Sequence, residues 1–373
     1  MMLRRLLEAI IFWLTLFEVL AAGVGWWGLT WGSRRFWIAP VFVLPWLARR
    51  LRYADVAGKS TLLLALPFAI LLQLAGSHVR NWTFNPLLRL RPGLYSDREI
   101  IRIDVPTAAG PVPALHIVPR RPTRAAVCVA HGSGCDKTFY AWELVEHLLR
   151  IDAAILLIDL DGHGESARHL SFPAILQNIT GSVDWLRQHY NRIGVIGVSL
   201  GGAVATRAIA EGTKVDALVI LGTPPRLRLT RRQINTKIIP LESIRLLRPS
   251  VIRLLRDGSL YHIVRAWQTS GTRTTISTWD LFDALDLIGS LQKIAAPRKG
   301  ILPILLIYGA SDAIVLPAEA ERVQQAQPPG ATFRLLPRAS HISLPIEPRT
   351  LKLMTSWLNE QLHTITHGAP DTE

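Results

Sequence analysis

Apolar residues are arranged in two different ways along this chain, and the change falls near residue 98. Up to residue 76 they come in long runs. From Ile10 to Trp31 almost every position is apolar, with Glu18 the only charge. About 20 residues of this kind are what a helix needs to cross a bilayer. Trp26, Trp27 and Trp31 close the run as a head-group belt would, and Arg34 and Arg35 end it. Glu18 is then expected to face another helix or to carry a proton. A second run, Phe36–Ala48, is broken by Pro40 and Pro45 and stopped by Arg49, Arg50 and Arg52, and a third covers Thr61–Ala75. Residues 1–80 therefore predict an N-terminal membrane region of two or three apolar helices. The length of the first run, and the lack of an A-x-A site after it, argue against a cleaved signal peptide. Residues 81–98 form a polar, proline-containing linker.

From Glu99 onward the apolar residues come in short bursts alternating with helical spacing. Ile100–Val105 and Ala114–Val118 read as strands joined at Ala108-Ala109-Gly110, a hairpin signal. Ala125–Ala130, Ala154–Leu160, Ile193–Val198, Val215–Leu221, Leu302–Tyr308 and Ala331–Leu336 read as further strands. Thr138–Leu149, Phe172–Tyr190, Ala203–Ile209 and Arg349–His363 read as helices, the second with Ile175, Ile179, Val183 and Leu186 facing inward. Such alternation predicts an α/β fold with a mostly parallel sheet over residues 99–365, followed by a disordered tail at 366–373.

Composition sharpens this picture in two places. Hydrophobic residues make up 49% of the 373 positions, and the excess lies before Gly76. Lys and Arg number 42 against 28 Asp and Glu, a net charge of +14, which favours anionic partners. Membrane head groups fit the apolar N-terminus best, and no nucleic-acid partner is expected. Arg34, Arg35, Arg49, Arg50, Arg52 and Lys59 fall between the first and third runs. The positive-inside tendency would hold that loop in the cytoplasm and place the α/β domain on the non-cytoplasmic side. Ala57-Gly58-Lys59-Ser60-Thr61 imitates the end of a phosphate-binding loop, but Tyr53 stands where its first glycine is required. Cys128 and Cys135 fit no zinc spacing, and whether they pair is open.

The candidate chemistry lies in loops at strand C-termini, where open α/β sheets place their sites. Gly197-Val198-Ser199-Leu200-Gly201 is a G-x-S-x-G between a strand and a helix. In that setting the serine projects its hydroxyl from a sharp bend, as a nucleophile must. His131-Gly132-Ser133-Gly134 follows an earlier strand, and the Ser133 and Leu200 N–H groups are the expected pair of oxyanion donors. Asp312, in Gly309-Ala310-Ser311-Asp312, is placed to orient a histidine, although it equally suits an Asx-turn or a helix cap. His341 follows the last strand. His163 and Glu165, in Asp161-Gly162-His163-Gly164-Glu165-Ser166, are rival acid–base groups.

With these pieces in this order, residues from about 99 to 363 resemble an α/β-hydrolase. The matching parts are H-G-S-G at 131–134, D-G-H-G-E-S at 161–166, G-V-S-L-G at 197–201, G-A-S-D at 309–312 and S-H at 340–341. The resemblance implies an eight-stranded sheet flanked by helices, with a lid inserted before the acid, here at about 223–300. It implies Ser199 as nucleophile, His341 as base and Asp312 as its orienting acid. It ranks His163 and Glu165 lower, in a loop beside the site. One departure is Asp161, where many relatives carry Arg. The lid stretch Arg226–Arg265 holds ten Lys or Arg against Glu242 and Asp257. Its interleaved apolar residues suit a membrane surface or, equally, a solvated cover. Trp267 and Trp279 are candidates to line the pocket beneath it.

The expectation is thus a membrane-anchored serine hydrolase of carboxylic esters, lipid-like ones included, using Ser199, His341 and Asp312 and needing no metal or organic cofactor. Its partners are a small-molecule or lipid ester and the membrane, and its oligomeric state is open. Peptidase, thioesterase, lactonase or acyltransferase chemistry on the same residues remains an alternative. So does a non-catalytic, membrane-tethered binding protein that has kept the fold.

Overall fold

The computed structural model describes residues 2–23, 56–83, 90–138, 141–227, 233–238, 273–295 and 301–363, with single positions at 48, 229 and 241. The chain forms two compact units, one built on Met1–Leu88 and the other on Arg89–Arg253 and His262–Glu373.

The first unit contains two helices, α1 (Met2–Gly23) and α2 (Val56–Thr83), packed against each other. Small residues form the contact: Ala9 on α1, and Ala65 and Ala69 on α2, are buried, with Gln73 one turn further on. The Trp13 indole N–H donates to the Leu62 carbonyl at 2.8 Å. Large apolar side chains point the other way. Leu3, Leu7 and Ile11 of α1 and Leu63, Leu64, Phe68 and Leu71 of α2 are exposed.

Among the described residues no helix is long and apolar enough to cross a membrane. The expectation of two or three spanning helices therefore lacks support here. The sequence reading set the helix ends differently. α1 begins at Met2 and takes in Arg4, Arg5 and Glu8, and α2 runs past Thr61–Ala75 into polar sequence at both ends. Residues 36–47 of the second apolar run, Trp26, Trp27, Trp31 and the arginines at 34, 35, 49, 50 and 52 lie outside the described residues.

Among the described residues the second unit forms a nine-stranded sheet. In chain order the strands are β1 (Gly93–Leu94), β2 (Arg98–Val105), β3 (Val112–Pro119), β4 (Ala125–Ala130), β5 (Ala154–Ile158), β6 (Arg192–Val198), β7 (Ala217–Leu221), β8 (Ile304–Gly309) and β9 (Thr332–Leu336). Their spatial order is β1-β2-β3-β5-β4-β6-β7-β8-β9. Pairs from β5 through β9 are parallel, and β1, β2 and β3 add antiparallel pairs at one edge. The expected count of eight is corrected to nine. The extra strand is two residues long, contains a glycine, and lies in what the sequence marked as linker, so no alternation announces it. The β2–β3 hairpin turns where expected: the Gly110 N–H donates to the Thr107 carbonyl, and Gly110 adopts φ +118°.

The central strands are buried on both faces, and for that reason they read as continuous apolar runs. Helices α4 (Leu176–Arg187), α5 (Leu200–Ala210), α6 (Thr278–Leu285), α7 (Leu287–Ala295) and α8 (Pro317–Gln325) cover one face, while α3 (Ala141–Leu149) and α9 (Pro348–His363) cover the other. Ile175, Ile179, Val183 and Leu186 are buried as the helical spacing predicts. The lid boundary moves. Leu281, Phe282, Leu285, Leu287 and Leu291 are buried in the same core cluster as α5, so residues 278–295 belong to the helical layer rather than to a cover. Trp279 is partly exposed, at 41%, and its indole N–H reaches the Leu229 carbonyl at 3.4 Å. Trp267 and Arg245, Arg248, Arg253 and Arg256 of the basic stretch fall outside the described residues.

Candidate active site

β6 ends at Val198, and Ser199 turns the chain into α5 with φ 50° and ψ −112°. A non-glycine residue with that backbone is strained by about 1–3 kcal/mol, and such strain persists only where its surroundings hold it. Here they do. The Ser199 N–H donates to the Leu221 carbonyl at 2.8 Å, and the Thr223 hydroxyl donates to the Ser199 carbonyl at 3.0 Å. The glycines of the motif let the backbones close on one another. A Cβ on Gly197 would collide with Gly202, and one on Gly201 with the Ala130 carbonyl.

His341 Nε2 lies 3.1 Å from Ser199 Oγ, and His341 Nδ1 lies 2.8 Å from Asp312 Oδ2. A carboxylate only accepts, so Nδ1 carries the proton and Nε2 is left to accept from the serine hydroxyl. The Asp312 side chain is fully buried. Its Oδ1 takes the N–H groups of Ile314 and Val315 at 2.7 and 2.8 Å. Asp312 thus makes the Asx-type turn that was the plain alternative and orients His341 as well. Its loop is tied to the histidine loop: the Ala310 N–H donates to the Leu336 carbonyl and the Ser311 N–H to the Ala339 carbonyl. Ser199, His341 and Asp312 come from residues 142 and 29 positions apart in sequence and meet at one sheet edge.

Gly132 lies against Ser199, since a Cβ there would be 3.4 Å from Ser199 Cβ. Ser133 follows it at an exposed position, and buried Leu200 opens α5. The first N–H groups of a helix have no intrahelical partner and carry the positive end of its dipole, so the Leu200 end of α5 suits a developing anion.

The 161–170 loop has other duties. Asp161 is buried, and its Oδ1 accepts from Arg168 Nε at 2.9 Å and Asn178 Nδ2 at 3.0 Å. Arg168 supplies a guanidinium from within the same loop, seven residues after Asp161. His163 Nδ1 donates to the Asp161 carbonyl, and Glu165 pairs with Lys137 and Arg102. The loop also holds the chain returning from the inserted stretch, through Gly162, Leu170 and Arg273 backbone hydrogen bonds and the Arg273 guanidinium on the Ser166 carbonyl.

Three histidines of this unit are held neutral. Burial pushes His116, His131 and His163 down to about 4. Proximity of His189 adds to the effect at His116, and proximity of His131 to that at His163. Cys128 and Cys135 are buried free thiols, and burial pushes Cys128 up to about 12. Among the described residues no cluster of three or more His, Cys, Asp or Glu could hold a metal ion.

The sequence reading missed Thr223, Lys137 and Asp159. Asp159 directly follows β5 and Thr223 stands two residues after β7, so position at a strand's C-terminal end was the available signal.

A sequence profile of the Alpha/beta hydrolase family matches residues 126–351, and the chain belongs to that family. No curated protein sequence matches it. Among solved structures it is similar to a thermophilic esterase from Thermogutta terrifontis, at 22% identity, covering 70% of this chain and 99% of that one with a TM-score of 0.50. It is similar to an enol-lactonase from Burkholderia xenovorans LB400, at 18% identity, 70% and 100% coverage and a TM-score of 0.52. It is also similar to the alpha/beta hydrolase GrgF from Penicillium sp. sh18, at 14% identity, 72% and 99% coverage and a TM-score of 0.55. At these identities the likeness establishes the fold.

Proposed function

We propose that the protein is a serine hydrolase that cleaves carboxylic esters through an acyl-enzyme. The observation that carries this reading is the 3.1 Å approach of His341 Nε2 to Ser199 Oγ, with Asp312 behind the ring at 2.8 Å. Ser199 Oγ attacks the ester carbonyl while His341 Nε2 takes its proton. The carbonyl π electrons move onto oxygen, and the resulting anion is received by the N–H groups of Ser133 and Leu200. As the intermediate collapses, His341 returns the proton to the departing alcohol. Water then attacks the acyl-serine with His341 as base, releasing the acid and restoring Ser199. Asp312 stays ionised throughout and holds the Nδ1–H tautomer.

The membrane part of the proposal is contact of the α1–α2 pair with lipid. Its support is the inverted packing: alanines between the helices, and leucines and Phe68 outward. Membrane helices associate through small residues because lipid offers no hydrophobic drive to bury large ones. A lipid-like ester would then be delivered from the same layer.

The test is turnover of a panel of acyl esters of increasing chain length by the purified full-length protein. Release of alcohol with an initial burst is expected. Absence of turnover across esters, thioesters and amides, together with no reaction with a fluorophosphonate, would sink the hydrolase reading. Preference for thioesters or amides would keep the residues and change the substrate.

A further inference from the structure

The peptide unit joining Gly132 to Ser133 is planar and trans, so its carbonyl and its N–H point in opposite directions. Whatever fixes the Gly132 carbonyl therefore aims the Ser133 N–H. Two donors fix it: His131 Nδ1–H at 2.8 Å and the Cys135 N–H at 3.2 Å. His131 has its role set from the other side, because its Nε2 accepts from the Leu160 N–H at 3.1 Å. That leaves the proton on Nδ1. Directly before Leu160 stands Asp159, whose side chain is fully buried. Asp159 accepts from the Lys137 N–H at 2.7 Å, from Lys137 Nζ at 2.5 Å and from the Glu165 N–H at 2.8 Å. The Lys137 ammonium, itself almost fully buried, reaches Glu165 Oε2 at 2.8 Å. Both ends of the 131–137 loop are thus fastened to the end of β5.

We propose that His131 and the Lys137–Asp159 pair are positioning residues that aim the Ser133 N–H at the oxyanion. The inference rests on the serine hydrolase reading and deepens it. Neither residue needs to touch substrate. Each acts through the orientation of one peptide unit, so its loss should weaken transition-state binding and leave substrate binding alone.

The two ring nitrogens give the test. Asn at position 131 places its amide nitrogen near the place of Nδ1, whereas Gln places one near Nε2. His131→Gln should lower kcat by about 100-fold, the usual loss for one oxyanion donor, with KM within about twofold. The rate of fluorophosphonate labelling at Ser199 should fall in parallel. His131→Asn should recover most of both. Lys137→Arg keeps a cation beside Asp159, and so keeps the fold should His131→Gln fail to fold. It should lower kcat about tenfold, again without a change in KM. Equal losses in His131→Asn and His131→Gln, or losses confined to KM or to thermal stability, would overturn the proposal. If wild-type Ser199 does not label at all, it is the hydrolase reading that has failed.

Discussion

The two units use apolar side chains in opposite ways. In the sheet unit the large residues are inside: Ile155, Ile158, Ile179, Leu285 and Leu306 are fully buried. Charged groups that remain inside include the pairs Asp159–Lys137 and Asp161–Arg168. In the helix pair the inside is alanine, and leucines cover the outside. Water drives large apolar groups inward by about 25 cal/mol per Å² buried, and the sheet unit follows that rule while the helix pair does not. Chemistry that needs fixed dipoles belongs in the unit with the packed interior. The other unit presents exposed leucines and Phe68 instead.

The change that should separate the units most sharply is Ser199→Ala. It should lower kcat by about 10⁴–10⁶-fold while the protein's partition into membranes stays as it was. Steady-state kinetics and a vesicle flotation assay on the same preparation read both. Asp312→Asn should follow at about 10⁴-fold, because the amide donates where the carboxylate accepted and turns His341 to the wrong tautomer. A comparable loss in Asp161→Asn with a mild effect in Asp312→Asn would move the acid into the 161–170 loop.

Ser199, Asp312 and His341 stood out in the sequence because each is marked by its own neighbours. G-x-S-x-G, the aspartate after one strand and the histidine after the last each stand at a strand end. The strands themselves were legible because burial on both faces leaves continuous apolar runs such as Ala154–Ile158. What stayed hidden depended on distant partners. Lys137 reads as an ordinary surface lysine until β5 brings Asp159 to it across 22 residues. Helices α6 and α7 fall within the stretch that the resemblance implied as a lid, and only the core they join places them in the helical layer. The ends of α1 and α2 were misjudged because hydropathy follows composition, whereas the helices continue through charged sequence.

The mirror experiment acts on the helix pair. Replacing Leu63, Leu64, Phe68 and Leu71 together with Gln should release the protein from membranes, since each side chain contributes about 1.5–3 kcal/mol when buried in an apolar phase. Turnover of a small soluble ester should stay near wild type. Unchanged flotation would remove the lipid role of α2.

Acid distinguishes the units more gently. His116, His131 and His163 titrate near 4 when folded and near 6.5 when unfolded. Between those values the unfolded chain binds more protons, so stability is fully present above about 6.5 and falls as pH drops toward 4. Each histidine contributes a slope of at most about 1.4 kcal/mol per pH unit. Thermal melts of wild type and His116→Gln across that range measure it, and the variant should show the shallower loss. Parallel curves would mean that His116 does not contribute.

The account turns on Ser199 being a nucleophile activated by His341. The most direct measurement is peptide mapping of the full-length protein after reaction with a fluorophosphonate, beside His341→Ala and Ser199→Ala. The predicted result is one phosphonylated residue, Ser199, in wild type, a much slower adduct at the same residue in His341→Ala, and none in Ser199→Ala. An adduct on another residue, or an equal rate with and without His341, would contradict it.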